Sequence, residues 1–327
     1  MANGDQVKNG KAFEYAIALE YYRYLRSKDI KVEFLEDKAF KTARSFFNGF
    51  DEEQQQLFCL SARASIKTML KLESGFTSPK NEKDVLTIQV ASDQSGEEGD
   101  VRDVIFTRLG SRWEVGFSAK NNNDAVKHSR LSATIDFGKD WLGYPVSEHY
   151  WESVKPIFNL LQEYKDLDYK WNQVEDKANR IYKPLLEAFK TELLAINTEH
   201  SDVPERLIAY LLGRMPFYKI IKDDTSSLII VKAFNLNGGL NQTVNKVKPA
   251  YKTKKINFPT RIVEFDYKKN RDGSVSETTL NMILDEGWEI SFRLHNAESK
   301  VIPSVKFDVN LLGNPPVLFT QYIFSED

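Results

Sequence analysis

The chain has one cysteine, Cys59, in 327 residues. A lone thiol excludes a disulfide framework and a thiolate-rich zinc centre within one chain. It stands in Gln56-Leu57-Phe58-Cys59-Leu60, on an apolar helical face, where free cysteine behaves as a small buried hydrophobe. An excess of one charge is also missing: 45 Lys and Arg stand against 47 Asp and Glu, a formal net charge of −2. Any contact with a polyanion must therefore come from a local patch, not from the field of the whole molecule. No stretch approaches the ~20 apolar residues of a membrane span. The polar start, Met1-Ala2-Asn3-Gly4-Asp5-Gln6, lacks the pattern of a signal peptide, so the expected location is the cytoplasm. Internal repeats and long low-complexity tracts are absent as well. What remains is an ordinary globular composition, 41% hydrophobic and 28% charged, long enough for one large domain or two.

Phe13, Ile17, Tyr21 and Leu25 recur at helical spacing through residues 10–27. A second helical block spans about 36–75, broken near Gly49-Phe50-Asp51, where Asp51 is a good N-cap. The texture then changes. Val85–Val90 reads as a strand, a Gly- and acid-rich loop follows at 92–100, and two strands, Val101–Leu109 and Arg112–Lys120, flank Gly110-Ser111. A two-residue link beginning with glycine suits a type II′ hairpin turn. Asp124 reads as the cap of a helix over 125–137. Residues 149–213 are mostly helical, with Pro204 at a helix start. From about 216 strands dominate: 218–221, 228–234, 261–267, 288–294 and 305–311, with a Lys-rich connector at 241–257. The expected organisation is mixed α/β (α+β), in three consecutive regions: 1–145 holding the hairpin, 146–215 helical, and 216–327 β-rich.

The hairpin is where chemistry converges. With a two-residue turn, Leu109 faces Arg112, which sets Asp103 opposite Ser118 and Val101 opposite Lys120. Alternation then puts Glu114, Gly116, Ser118 and Lys120 on one face and Val115, Phe117 and Ala119 on the other. The second set is apolar and packs inward; the first is polar, and Asp103 joins it. A carboxylate beside an ammonium suits hydrolysis of a phosphodiester, which needs hard oxygen ligands for a metal ion and a cation near the attacking water. On its own the pattern also describes an ordinary solvated Asp-Lys pair.

Further segments narrow that choice. Gly10-Lys-Ala-Phe-Glu14 opens a helix, and Gly99-Asp-Val-Arg-Asp103 is followed by Phe117-Ser-Ala-Lys120. These resemble the first helix and the catalytic hairpin of the PD-(D/E)xK nucleases. More specific are the stretch Lys120–Ser132, with Ile135-Asp-Phe-Gly138 and Trp141-Leu-Gly143 after it, and Gly287–Ala297 followed by Pro303–Asp308. These closely resemble the HaeIII-type restriction endonucleases. The resemblance implies a PD-(D/E)xK core with an added helical region and a β-rich C-terminal part. It further implies a type II enzyme that cuts double-stranded DNA at GGCC with Mg²⁺, leaving a 5′-phosphate. A two-fold DNA site implies a homodimer, and a cognate DNA methyltransferase is implied genetically.

On that resemblance Asp103 binds the metal and Lys120 orients the attacking water. Ser118 occupies the place of the superfamily's usual second acid. Glu14 from the first helix is the leading candidate for the missing carboxylate and Asp136 the next. Glu114 ranks third, because four strand residues put it about 13 Å from Ser118. Candidate DNA contacts are Asn122, Lys127, His128 and Arg130 after the hairpin, and Lys252 and Lys254 in a stretch, 246–271, with nine Lys or Arg against Glu264 and Asp266. Arg293, His295 and Asn296, at a strand end, complete the set. Two alternatives share these residues: a repair or structure-directed nuclease without base specificity, and a non-catalytic DNA-binding protein on a decayed nuclease fold.

Overall fold

The computed structural model describes residues 2–92, 100–122, 124, 126, 129–296 and 298–324, with side chains from residue 7 onward. Two compact units emerge, each assembled from separated pieces of chain. The first comprises Met1–Asp124, Arg214–Asn257 and Val317–Asp327; the second comprises Ala125–Gly213 and Phe258–Pro316. The units are thus interleaved along the chain, not three consecutive regions, because strands after residue 216 join sheets in both. No helix among the described residues is long and apolar enough to cross a membrane.

The first unit is built on a seven-stranded sheet. Its strands are β1 (Val32–Phe34), β2 (Leu86–Val90), β3 (Val104–Arg108), β4 (Trp113–Asn121), β6 (Phe217–Asp223), β7 (Leu228–Phe234) and β12 (Phe319–Phe324), lying side by side in that order. β4 and β6 run parallel, so the chain must leave the unit and return between them. Helices α1 (Ala2–Arg26), α2 (Lys38–Asn48), α3 (Glu52–Ala64) and α4 (Ile66–Leu72) complete the unit. The four residues picked out by helical spacing, Phe13, Ile17, Tyr21 and Leu25, are all fully buried. Tyr21 packs on Phe106 and Phe117 with ring centroids 5.1 and 5.3 Å away, which seats α1 on the inner face of β3 and β4. Full burial of each such side chain stabilises by about 1.5–3 kcal/mol. Asp51 caps α3 as expected, accepting the Gln54 N–H at 2.8 Å.

The second unit contains the other sheet, β5 (Ser129–Ser132), β11 (Ser304–Gly313), β10 (Glu289–His295), β9 (Val275–Leu284) and β8 (Ile262–Lys269), antiparallel throughout in that order. Helices α5 (Glu148–Asp166), α6 (Lys183–Glu199) and α7 (Val203–Leu212) belong to it, the last with proline in its first turn. Phe189 of α6 packs on Phe292 and Phe307 at 5.4 and 4.9 Å, closing a core against the apolar face of the sheet.

Two local expectations are corrected. Among the described residues of 125–137 the expected helix is replaced by a strand: Ser129–Ser132 pairs with 304–307 of β11. The Asp124 carboxylate is taken by two lysines of the sheet. The hairpin connection is also not a type II′ turn. Gly110 does not take a positive φ; the left-handed residue is Arg112, at φ +51°, and its N–H closes the turn on the Leu109 carbonyl at 3.2 Å. Glycine is needed at 110 for space, since a Cβ there would stand 2.7 Å from Asp84 Oδ1.

Candidate active site

The register of the hairpin is the expected one: Val104 pairs with Phe117, Ile105 with Gly116 and Arg108 with Trp113. Val101 stays outside this ladder. Asp103 extends it by one step, its N–H donating to the Phe117 carbonyl at 2.7 Å and its carbonyl accepting from Ala91 at 2.9 Å. The Asp103 side chain is fixed by the same strand. Oδ2 accepts the Ala119 N–H at 2.7 Å and the Ser118 hydroxyl at 3.2 Å, and Lys120 Nζ lies 3.6 Å from it. Both side chains retain solvent access, Asp103 at 23% and Lys120 at 29%, so neither is sealed from a substrate.

Glu14 approaches from α1. It is buried, and Lys11 one turn back donates to its Oε2 at 3.0 Å. Burial pushes the Glu14 carboxyl up to about 8; the negative charge of Asp103 adds to the rise, while Lys11 and Lys120 oppose it. A buried carboxyl whose ionisation is opposed by the charge of Asp103, beside a lysine, forms a charge arrangement that a divalent cation would relieve. Among the described residues no three His, Cys, Asp or Glu side chains cluster as a metal cage. Mg²⁺ does not require one, since it is commonly held by one or two carboxylates, with water and phosphate oxygens filling the remaining positions. The donor set of Asp103 and Glu14, all hard oxygen, fits that pattern.

Other candidate acids are committed elsewhere. Asp136 lies in the second unit, where its Oδ1 accepts the N–H groups of Lys139 and Val146 at 2.9 and 3.1 Å beside the short π-helical turn Gly138–Leu142. Glu114 is ion-paired with Arg102 at 2.6 Å, and Asp100 with the same guanidinium at 2.7 Å. Arg102 lies over Gly116, whose missing side chain makes room for it: a Cβ would come within 2.1 Å of Arg102 Cδ.

A further cluster escaped the sequence reading. Across the sheet from Ser118 stands Lys219 of β6, and across from that Lys232 of β7. Both lysines are buried, and both donate to the carboxylate of Asp124, Lys219 at 2.5 Å. Burial, partly offset by Asp124, lowers the Lys219 ammonium to about 8, and the charge of Lys120 contributes to the fall. The available signal was a lysine inside each of two otherwise apolar strands, Phe217-Tyr-Lys-Ile-Ile and Ile229-Ile-Val-Lys-Ala-Phe234.

The candidate DNA contacts divide between the units. Asn122 is held at φ +59° and exchanges two hydrogen bonds with Asp224, at 2.6 and 2.7 Å. Lys252 and Lys254 are exposed in the first unit, whereas the rest of the basic stretch beyond Asn257 belongs to the second. Lys127 and His128 lie outside the described residues. In the second unit Arg130 donates to Ser304 Oγ at 2.9 Å and lies 3.7 Å from Glu298. Arg293 is half exposed, 4.0 Å from Asp308. His295, whose imidazole is shifted down by burial, has Nδ1 3.1 Å from the Asn296 carbonyl, and Asn296 receives the Tyr182 hydroxyl at 3.3 Å.

The HaeIII restriction endonuclease family matches residues 10–315. The chain is 36% identical over 312 residues to the type II restriction enzyme HaeIII of Haemophilus aegyptius, with 95% of each chain covered. No solved structure matches it. The match runs from the helix that carries Glu14, through the Asp103–Lys120 hairpin, to the last strand of the second sheet. The chain belongs to the HaeIII restriction endonuclease family.

Proposed function

We propose that this protein is a type II restriction endonuclease that hydrolyses double-stranded DNA at GGCC with Mg²⁺, and that Asp103, Glu14, Ser118 and Lys120 form its active site. Membership of the family makes it a restriction endonuclease acting on DNA. The observation that carries the site assignment is the meeting of Asp103 and Lys120 at 3.6 Å on adjacent hairpin strands, with Glu14 electrostatically linked to both.

Asp103 and Glu14 would hold the divalent cation through carboxylate oxygens. When bound, such an ion polarises the phosphate and lowers the pKa of a coordinated water. Ser118 and the Ala119 amide orient Asp103 by binding one of its oxygens, which presents the carboxylate in a fixed direction. The Lys120 ammonium orients the attacking water and offsets the charge that develops on the phosphate oxygens. In-line attack leaves a 5′-phosphate and a 3′-hydroxyl. Cutting both strands of a two-fold site calls for two copies of the active site, hence a homodimer or transient pairing, and the place of action is the cytoplasm. A cognate methyltransferase would accompany the enzyme genetically, not as a bound partner.

Digestion of a plasmid of known sequence with Mg²⁺, followed by mapping of fragment ends, tests the proposal. Discrete fragments with 5′-phosphate ends at GGCC are expected. A smear would instead indicate a nuclease without base specificity, and binding without cutting a decayed one.

A further inference from the structure

Cross-strand pairing sorts the five-stranded sheet of the second unit into two faces. Val305, Phe307, Val309, Phe292 and Leu294 line the buried one. The opposite face is laid out in polar rows, because directly paired residues share a face. Arg130, Lys306 and His295 form one row across β5, β11 and β10. Asp308, Arg293 and Thr279 form the next, and Asn310, Ser291 and Asn281 the third.

This face differs from an ordinary solvated one in two respects. Its centre is made of small or amide side chains with little access to water: Thr279 and Ser291 are each 7% exposed, and Asn281 Oδ1 is buried with no hydrogen-bond partner among the described residues. Around that centre stand long donors and a carboxylate. Arg293, 54% exposed, lies 4.0 Å from Asp308 Oδ2, at the outer limit of an ion pair, so its guanidinium fork remains available to a planar acceptor pair.

We infer that this polar face reads the major-groove edges of G·C base pairs, with Arg293 donating to guanine O6 and N7 and Asp308 accepting from the amino group of cytosine. The inference rests on the reading of the chain as a DNA-cutting enzyme. A guanine presents two acceptors and its cytosine a single donor, side by side in the groove, and an arginine next to an aspartate is complementary to that set. An A·T pair presents a different order of groups and leaves the pair mismatched. Arg130 and Lys306, one row away, supply positive charge for flanking guanine or phosphate.

The test compares binding of two duplexes of equal length by the full chain with Ca²⁺ in place of Mg²⁺. One duplex contains GGCC; in the other A·T pairs replace those four positions. The wild type is expected to prefer the first. Arg293→Gln and the isosteric Asp308→Asn should each weaken binding of the GGCC duplex by roughly 5–150-fold, leave the other duplex within about twofold, and leave the melting temperature unchanged. The inference is overturned if the wild type does not discriminate, if both variants keep its preference, or if they weaken both duplexes equally, as loss of a phosphate contact would. The nuclease reading fails by a separate result, a wild type that leaves plasmid uncut with Mg²⁺.

Discussion

The Ala119 N–H donates to Asp103 Oδ2 at 2.7 Å, and the next residue, Lys120, places its ammonium 3.6 Å from that same oxygen. One strand therefore both orients the carboxylate and supplies its cation. The contacts of Asp103 with Ser118, Ala119 and Lys120 all fall on Oδ2.

On the proposed reading Ser118 acts by orienting Asp103, not as a ligand. Among the described residues its hydroxyl donates to Asp103 at 3.2 Å, and the stronger backbone contact remains without it. Loss of a single such bond costs about 0.5–1.5 kcal/mol. Ser118→Ala should consequently slow cleavage by about tenfold at most. Single-turnover rates at saturating Mg²⁺ measure this; a loss as large as that of a removed metal ligand would mean that Ser118 has a direct role.

Glu14 makes the stability of the metal-free protein depend on pH. Its carboxyl is raised in the fold from 4.5 to about 8, so the folded state holds the proton more tightly than the unfolded chain. The sign follows: this contribution is fully present below about pH 4.5 and is lost as pH rises through about 8. Melting temperatures in chelator should fall across that window more steeply for the wild type than for Glu14→Gln. Added divalent cation should restore the wild type at the alkaline end and help Glu14→Gln much less. Identical pH profiles for the two proteins would contradict the placement of Glu14.

Asp124 is the counter-ion of two buried lysines, Lys219 and Lys232. Removing it leaves like charges next to each other across a strand pair, without solvent to screen them. Breaking a buried ion pair by deleting one partner costs about 3–5 kcal/mol, and Asp124→Ala should destabilise by that order in urea unfolding. Asp124→Ala combined with Lys219→Met should recover part of the loss. A single variant as stable as the wild type would show that the cluster is not buried in solution.

Much of this architecture is legible in the primary structure, for identifiable reasons. The spacing of Phe13, Ile17, Tyr21 and Leu25 marks the buried stripe of α1, because a helix must present one apolar face to a sheet. The hairpin register follows from alternation: a slip of one residue would have turned Phe117 outward. The less legible parts depend on distant partners. Asp124 has the type of an N-cap, but two lysines about a hundred residues further along claim its carboxylate. Ser129–Ser132 becomes a strand only because β11, some 175 positions later, offers it an edge, which local propensity does not report. The burial of Lys219 and Lys232 is not legible locally, because lysine is almost never buried without a partner and that partner is remote in sequence. Arg112, not Gly110, takes the left-handed conformation, since the glycine serves to admit Asp84.

The most direct test of the active site is cleavage of a GGCC-containing plasmid by the wild type, Lys120→Ala and Asp103→Asn with Mg²⁺, alongside binding of the same site with Ca²⁺. The account predicts that each substitution lowers the cleavage rate by at least about 10²–10³-fold while Lys120→Ala still binds the site. Cleavage by either variant at near the wild-type rate would contradict it.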